Sequence, residues 1–281
     1  MRSGEKQVTG SFVSTLEVGA VRAWRRFWPL KYGKDIPERL IGRAIRMGVL
    51  HPIWLEFESG LWMKCDIREM HQGTLISEGP WEPVTTQYIL ASLKEGQVFL
   101  DIGANAGYFT LLASRCVGQQ GSVVAVEPNP VMTEQIRQNV ARSRLTNVLV
   151  EQVACSAATE IRKLYLAEQN NTGTSSLCNY HGRQSKFVEV SCLPVDLIVE
   201  KHDLSRVDLV KIDVEGAELE VLRGMNSTLK RFRPKIIIEL LPSLLRGFSV
   251  SREDVTDHLA CLGYSISLLD AQHSNYLCKP S

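Results

Sequence analysis

The chain has 281 residues, 44% of them apolar and 22% charged, with a formal net charge of +1. Such a composition buries a substantial core, and a charge this close to balance leaves no broad footprint for nucleic acid. Seven scattered cysteines without Cys-x-x-Cys or zinc spacing, and no run of about 18 apolar residues, predict a reduced cytoplasmic protein with no membrane span.

Residues 1–50 carry few signals. Arg22, Arg25 and Arg26 interleave with Trp24, Phe27 and Trp28, the pattern of a helix packed on a domain with its arginines in water. Two short apolar runs, residues 53–58 and 61–67, flank Ser59-Gly60 and predict a hairpin. Gly79-Pro80 then breaks the chain, Trp81 follows as a packing anchor, and residues 84–93 fit a helix. We therefore expect an N-terminal extension over 1–75, of helices and a β-hairpin, and one larger domain over 76–281.

The larger domain opens on Val98-Phe-Leu-Asp-Ile-Gly-Ala-Asn-Ala-Gly. Four apolar residues and Asp101 read as a buried strand, and Gly103 and Gly107 make the turn into an apolar helix start at Tyr108. A strand that halts at glycines and restarts as a helix brings bare backbone close to a ligand. Glu127 ends the next strand, residues 122–126, about twenty positions on, where an acid accepts both hydroxyls of a ribose. A pyrophosphate-binding turn wants Gly-x-Gly-x-x-Gly. Here Asn105 and Tyr108 hold the second and third places, and Gly107 falls one early. With Asp101 just before it, this turn suits a phosphate-free nucleoside with an amino-acid end, such as S-adenosylmethionine. Asp101, Gly103, Asn105, Gly107, Glu127 and Pro128 are the candidate cofactor residues. Glu82, at the start of the helix before the first strand, would hold the ligand's ammonium group.

Asn129 and Pro130 suit the cap and first position of a helix running to about residue 143. Residues 148–154 read as a third strand, ending at Ala154, against which an adenine ring would stack. Strand and helix alternate, which predicts a doubly wound, mostly parallel α/β sheet. The periodicity changes between 160 and 192, where two short strands bracket the polar run Asn170-Asn-Thr-Gly-Thr-Ser-Ser176. An insertion on the ligand side is a place for acceptor specificity, and His181 beside it is a candidate for proton transfer. Residues 207–214 form a buried strand ending in Asp213, with Glu215-Gly216 in the turn beyond. Ligands of open α/β sheets sit outside the carboxyl ends of strands, so Asp213 belongs to the same crevice as Gly103 and Glu127. Alternation puts Lys211 and Asp213 on one face, and a buried Lys211 needs a carboxylate, for which Glu239 is a candidate. A strand over 235–241, a helix from Ser251 to Leu262 and a hairpin over 264–279 close the chain.

Glu82, the run Phe99 to Thr110, Glu127-Pro128-Asn129, Leu193 to Leu197 and Lys211-Ile-Asp-Val-Glu-Gly-Ala-Glu218 together resemble one family, the FkbM-type S-adenosylmethionine-dependent methyltransferases. The resemblance covers residues 75–245 and implies a seven-stranded Rossmann-like sheet with a reversed last strand. It also implies O-methylation of a natural-product or sugar hydroxyl. Leu193-Pro194-Val195-Asp196 departs from the family's usual Thr-Leu-Asp-type run by its proline.

An alcohol is a poor nucleophile at neutral pH, so a base or a metal is expected beside it. Asp213 and Glu215 are the first candidates for base or for orienting the acceptor, His181 the third. Asp213 and Glu239 would alternatively suit a divalent cation; the preferred reading assigns no metal ligand. Two other classes remain open to the sequence: a nicotinamide-dependent dehydrogenase, and a catalytically silent cofactor-binding module. The acceptor expected is a small molecule or glycan. Its identity and the oligomeric state are not legible in the residues.

Overall fold

A computed structural model describes residues 52–66, 69–167, 172–180 and 185–281. The arginine- and tryptophan-bearing stretch near residues 18–30 and His181 lie outside the described residues. Two compact units divide between Trp81 and Glu82.

In the first unit, β1 (Ile53–Glu58) and β2 (Leu61–Cys65) pair antiparallel as the expected hairpin. A helix with no sequence warning follows, α1 (Met70–Ser77). Glu69 caps it by accepting the Gln72 N–H at 2.8 Å. Trp81 stacks on His71 at 4.3 Å between ring centroids, in keeping with a packing role.

The second unit is a seven-stranded sheet with helices on both faces. Its strands are β3 (Val98–Ile102), β4 (Ser122–Val126), β5 (Val148–Glu151), β9 (Leu209–Ile212), β10 (Lys235–Glu239), β11 (Tyr264–Asp270) and β12 (Asn275–Pro280). Their order is β11-β12-β10-β9-β3-β4-β5. All neighbouring pairs from β10 to β5 are parallel, and β12 runs antiparallel to both β10 and β11. This is the Rossmann-like sheet with a reversed last strand. The chain leaves β3 near the middle, builds out to β5, then returns to add β9 on the other side. That reversal makes the carboxyl ends of β3, β4 and β9 the switch point where such sheets take ligands.

Buried strands explain the middle of the sheet. Every residue of β3 is buried, as are Val123 to Val126 of β4 and all four of β9. Each Val, Leu or Ile removed from water there contributes about 1.5–3 kcal/mol. Helices α2 (Pro83–Ser92), α3 (Tyr108–Val117) and α4 (Pro130–Arg142) precede or connect the first strands. Asn129 caps α4 with its side chain on the Val131 N–H at 3.0 Å, and Pro130 takes the first position as expected. Ser251 and Asp254 form a reciprocal capping box on α9 (Arg252–Cys261).

One strand assignment is corrected. The predicted run 148–154 is two strands, because β6 (Ala154–Cys155) leaves the main sheet. It joins a three-stranded sheet with β7 (Glu160–Tyr165) and β8 (Phe187–Leu193). Ala154 pairs with Cys192 there and is buried, so its candidate place beside an adenine lies in this second sheet, past the end of β5. Pro194 resolves the departure noted above. It stands immediately before α5 (Val195–Lys201), at φ −58°. Asp196 then caps α7 (Asn226–Phe232) by accepting the Thr228 N–H at 2.8 Å and the Ser227 N–H at 2.9 Å. The remaining helices are α6 (Glu218–Arg223) and α8 (Pro242–Leu245).

Candidate active site at the carboxyl edge

Gly103 joins the two sides of the switch point. It has φ +84°, and a Cβ on it would run into the carbonyl oxygen of Asp213. The Asp213 N–H donates to the Ile102 carbonyl at 3.0 Å, and Gly103 N–H to Val126 at 2.9 Å. Gly103, Glu127 and Asp213 thus lie along one edge of one sheet. Asn105, in the place of a second glycine, has φ +48°. Asparagine tolerates this left-handed conformation better than most residues, so the turn keeps a glycine-like path without a glycine. Gly107 (φ +88°) packs against Ile136 of α4, where an added Cβ would crowd the side chain at 3.2 Å.

Glu127 is the centre of the first half of the edge. Its Oε2 accepts the Asn105 N–H and its Oε1 the Asn129 N–H, each at 2.8 Å. Burial pushes its carboxyl up to about 7, against the lowering effect of those two hydrogen bonds. Each oxygen spends one lone pair on the chain and retains acceptor capacity for a hydroxyl. A fixed carboxylate with that capacity, bare backbone at Gly103 and no pyrophosphate-type glycine triplet fit the ribose and amino-acid ends of S-adenosylmethionine. Pro128 continues from it into the capped start of α4. Asp101 is fully buried, with Oδ2 accepting from the Thr110 hydroxyl at 2.5 Å. Burial raises its carboxyl to about 6, and the nearby Lys211 works in the opposite direction.

The second half of the edge is a charge cluster. Lys211 is paired in register with Asp101 on one side and Ile237 on the other. Its side chain is 3% exposed, so its ammonium must be compensated inside the protein. Asp213 Oδ2 does so at 2.7 Å, Glu82 Oε1 stands at 3.9 Å, and the Phe109 ring lies 4.8 Å away. The candidate partner Glu239 is not the one in hydrogen-bonding range; the lysine turns to the acid two residues on, which shares its face of β9. Glu82 has φ +42° at the start of α2 and makes no side-chain cap there. Its Oε2 instead accepts from Asn275 Nδ2 of β12 at 2.6 Å, and the same Nδ2 lies 3.0 Å from Thr85 Oγ1. Sequence reasoning missed Asn275, because nothing local marks a strand asparagine as the partner of an acid nearly the whole domain away.

Asp213, Glu215 and Glu239 each offer an oxygen within 4.8 Å of the others. Burial raises the Glu215 carboxyl well above its ordinary range, with Asp213 and Glu218 adding repulsion and Lys211 relieving some. Glu239 is pushed to about 10 by burial, then by Asp213 and Glu215. Glu215 sits at φ +54°, an uncommon conformation for a residue with a side chain. Glu218, another residue the sequence left without a role, accepts the Gly216 N–H at 3.0 Å and holds this turn from the α6 side. Carboxyl groups held this close cannot all ionise readily, so one of them takes up a proton easily at neutral pH.

Comparison with known proteins shows the family. A model of the methyltransferase FkbM domain matches residues 101–266, from the buried acid of β3 into β11. Methyltransferase sdnD of Sordaria araneosa is 29% identical over 206 residues, covering 59% of this chain and 79% of that protein. The hexuronic acid methyltransferase AglP of Haloferax volcanii is 24% identical over 187 residues, covering 66% and 74%. A crystal structure of methyltransferase FkbM from Methylobacillus flagellatus KT aligns with a TM-score of 0.48 at 15% identity, over 87% of this chain and 71% of that one. Among the described residues no helix is long and apolar enough to cross a membrane.

Proposed function

The chain belongs to the FkbM methyltransferase domain family, and from that premise we propose that it transfers the methyl group of S-adenosylmethionine to a hydroxyl of a sugar or other small molecule. The observation that carries this is the meeting, at Gly103, of a ribose-type acid with a cluster of proton-accepting carboxylates. Its relatives include an enzyme named for hexuronic acids, which supports a sugar acceptor here.

S-adenosylmethionine supplies an electrophilic methyl on a sulfonium. The chain's own tasks are to bind, align and deprotonate. Glu127 would accept the ribose hydroxyls, with Asn105 and Asn129 holding its two oxygens in place. Gly103 and Gly107 leave the backbone bare beside the ligand, and Asp101, Glu82 and Lys211 set the charge around its amino-acid end. Aligning an acceptor oxygen in line with the methyl contributes up to about 7–11 kcal/mol of the barrier. Asp213, pinned by Lys211, would orient the acceptor hydroxyl. Glu215, whose environment favours taking a proton, would accept the hydroxyl proton at a carboxylate oxygen as the oxygen–methyl bond forms and the methyl–sulfur bond breaks, its electron pair leaving with the neutral thioether of S-adenosylhomocysteine. A positioned base of this kind is worth about 10²–10⁴-fold.

The same three acids would also serve as oxygen ligands of a divalent cation, which their separation of 4.8 Å or less favours. Lys211 already compensates Asp213, so the base assignment comes first. Dialysis against EDTA should leave turnover within about twofold; a loss restored by magnesium would transfer the cluster to a metal.

The test is label transfer from methyl-tritiated S-adenosylmethionine to methyl α-D-glucopyranoside, methyl α-D-glucuronopyranoside and a set of polyketide alcohols. The expected product is a methyl ether whose label survives mild alkali. Label released as methanol by alkali marks an ester and would move the site of transfer from hydroxyl to carboxylate. No transfer to any member would remove the support for a sugar or polyketide hydroxyl.

A further inference from the structure

Residues 172–176, the described part of the polar run, are folded onto the acidic turn of the candidate active site. Residues 172–180, between β7 and β8, form a strap tied down at separate points. Ser176 pairs with Tyr165 at the end of β7 by two backbone hydrogen bonds, of 2.8 and 3.1 Å. Its hydroxyl, buried with the rest of the residue, donates to the Glu215 carbonyl at 2.8 Å and accepts the Cys178 N–H at 3.1 Å. Further on, Cys178 Sγ donates to the Gly247 carbonyl at 3.3 Å, and the Tyr180 phenol donates to the Leu244 carbonyl. The Tyr180 ring occupies the space a Cβ would need at Gly247, and its hydroxyl lies 2.7 Å from where a Cβ on Gly216 would sit.

The turn under the strap is one the chain does not adopt cheaply, since Glu215 carries a side chain at positive φ. Glu218 secures it through the Gly216 N–H. Among the described residues the Glu215 carbonyl takes its side-chain hydrogen bond from the strap, through Ser176. A buried hydroxyl spent on one turn carbonyl, at the residue whose carboxylate joins Asp213 and Glu239, is a positioning device.

We propose that Ser176 and Tyr180 are positioning residues of the transfer reaction: the strap fixes the left-handed Glu215 turn and thereby holds the Glu215 carboxylate against Asp213 and Glu239. The inference rests on the assignment of Glu215 as proton acceptor, but its geometric content does not need an acceptor substrate to be measured. The groups facing Glu215 are Asp213 and Lys211 at the end of β9, Glu218 of α6, Glu239 of β10, and Tyr180 of the strap itself. Releasing the turn withdraws Glu215 from Asp213 and Glu239 and returns it toward water.

The experiment is a carboxyl carbon-13 NMR titration of the full chain labelled at glutamate, with the Glu215 signal assigned by its loss in Glu215→Gln. In the wild type this signal should titrate well above the ordinary glutamate range. In Ser176→Ala the midpoint should fall by about one pH unit or more, with an otherwise unchanged amide spectrum. Ser176→Thr, which keeps the hydroxyl, should restore it. Tyr180→Phe keeps the ring and should produce a smaller fall in the same direction. An unchanged midpoint in both Ser176→Ala and Tyr180→Phe, with both folded, would overturn the proposal. A shift that occurs while wild-type protein transfers no label to any acceptor would uphold the positioning role and count against the hydroxyl reading alone.

Discussion

The two halves of the carboxyl edge treat negative charge in opposite ways. At the ends of β3 and β4 a single carboxylate, Glu127, is met by two backbone N–H groups whose positions are set by a turn and a helix cap. At the ends of β9 and β10 three carboxylates meet one another, and the Lys211 ammonium beside them is committed to Asp213 and approached by Glu82. The first arrangement is organised before anything binds. The second is under electrostatic tension: burial first, and repulsion among the acids after it, raise the proton affinity of Glu215 and Glu239. Binding and proton transfer make these different demands, and Gly103 lets the two arrangements sit against each other.

The comparison breaks most severely at that contact. Gly103→Ala would drive a Cβ into the Asp213 carbonyl at a φ of +84°, with the end of β9 in the way. A loss of at least about 4 kcal/mol in urea-induced unfolding is expected, and both halves should fail together. Glu215→Gln addresses the second half alone. It should lower kcat about 10²–10⁴-fold with S-adenosylmethionine affinity, measured by calorimetry, nearly unchanged. Losses below tenfold in both Glu215→Gln and Asp213→Asn would reject a base in this cluster.

Glu127→Gln addresses the first half. Weakening charge-assisted hydrogen bonds worth about 1.5–3 kcal/mol should raise the cofactor Kd roughly 10- to 100-fold with a smaller effect on kcat. Because the ligand favours the ionised carboxylate and burial raises it to about 7, affinity in the wild type should improve as pH rises through that value. The glutamine variant should lose this dependence. The smallest effect concerns stability without cofactor. Glu239 is pushed to about 10 from an ordinary 4.5, so the folded chain keeps a proton that the unfolded chain releases. That contribution is complete below the ordinary value and disappears as pH climbs toward the raised one. The melting temperature should therefore fall between pH 6 and 9, and Glu239→Gln should flatten the slope and melt higher at the alkaline end.

Much of the first half is legible in the residues. A run of four apolar residues and Asp101 closed by Gly103, and a second run closed by Glu127, leave little freedom in where β3 and β4 stop. Asn129-Pro130 states a helix start in its own chemistry. The second half is less so, because its partners are far apart in sequence. Asp213 and Glu215 stand out as acids at a strand end. Ser176 and Tyr180, which hold the Glu215 turn, and Asn275, which holds Glu82, arrive from a loop and a reversed strand that only tertiary structure brings near. Lys211 shows the limit well: burial demands a carboxylate, but register, not proximity in the fold's diagram, decides that it is Asp213. The strand break before Ala154 is hidden from the sequence for a related reason, since two residues after β5 suffice to carry the backbone into a different sheet. Helix α1 gave no warning because Gly73 and Thr74 interrupt any apolar stripe.

The division of labour along the edge is tested most directly by a crystal structure of the chain with S-adenosylhomocysteine. The account predicts the two ribose hydroxyls on the Glu127 carboxylate and the sulfur at the boundary with Asp213, Glu215 and Glu239. A nucleoside bound away from Glu127, or a sulfur directed away from those three acids, would contradict it.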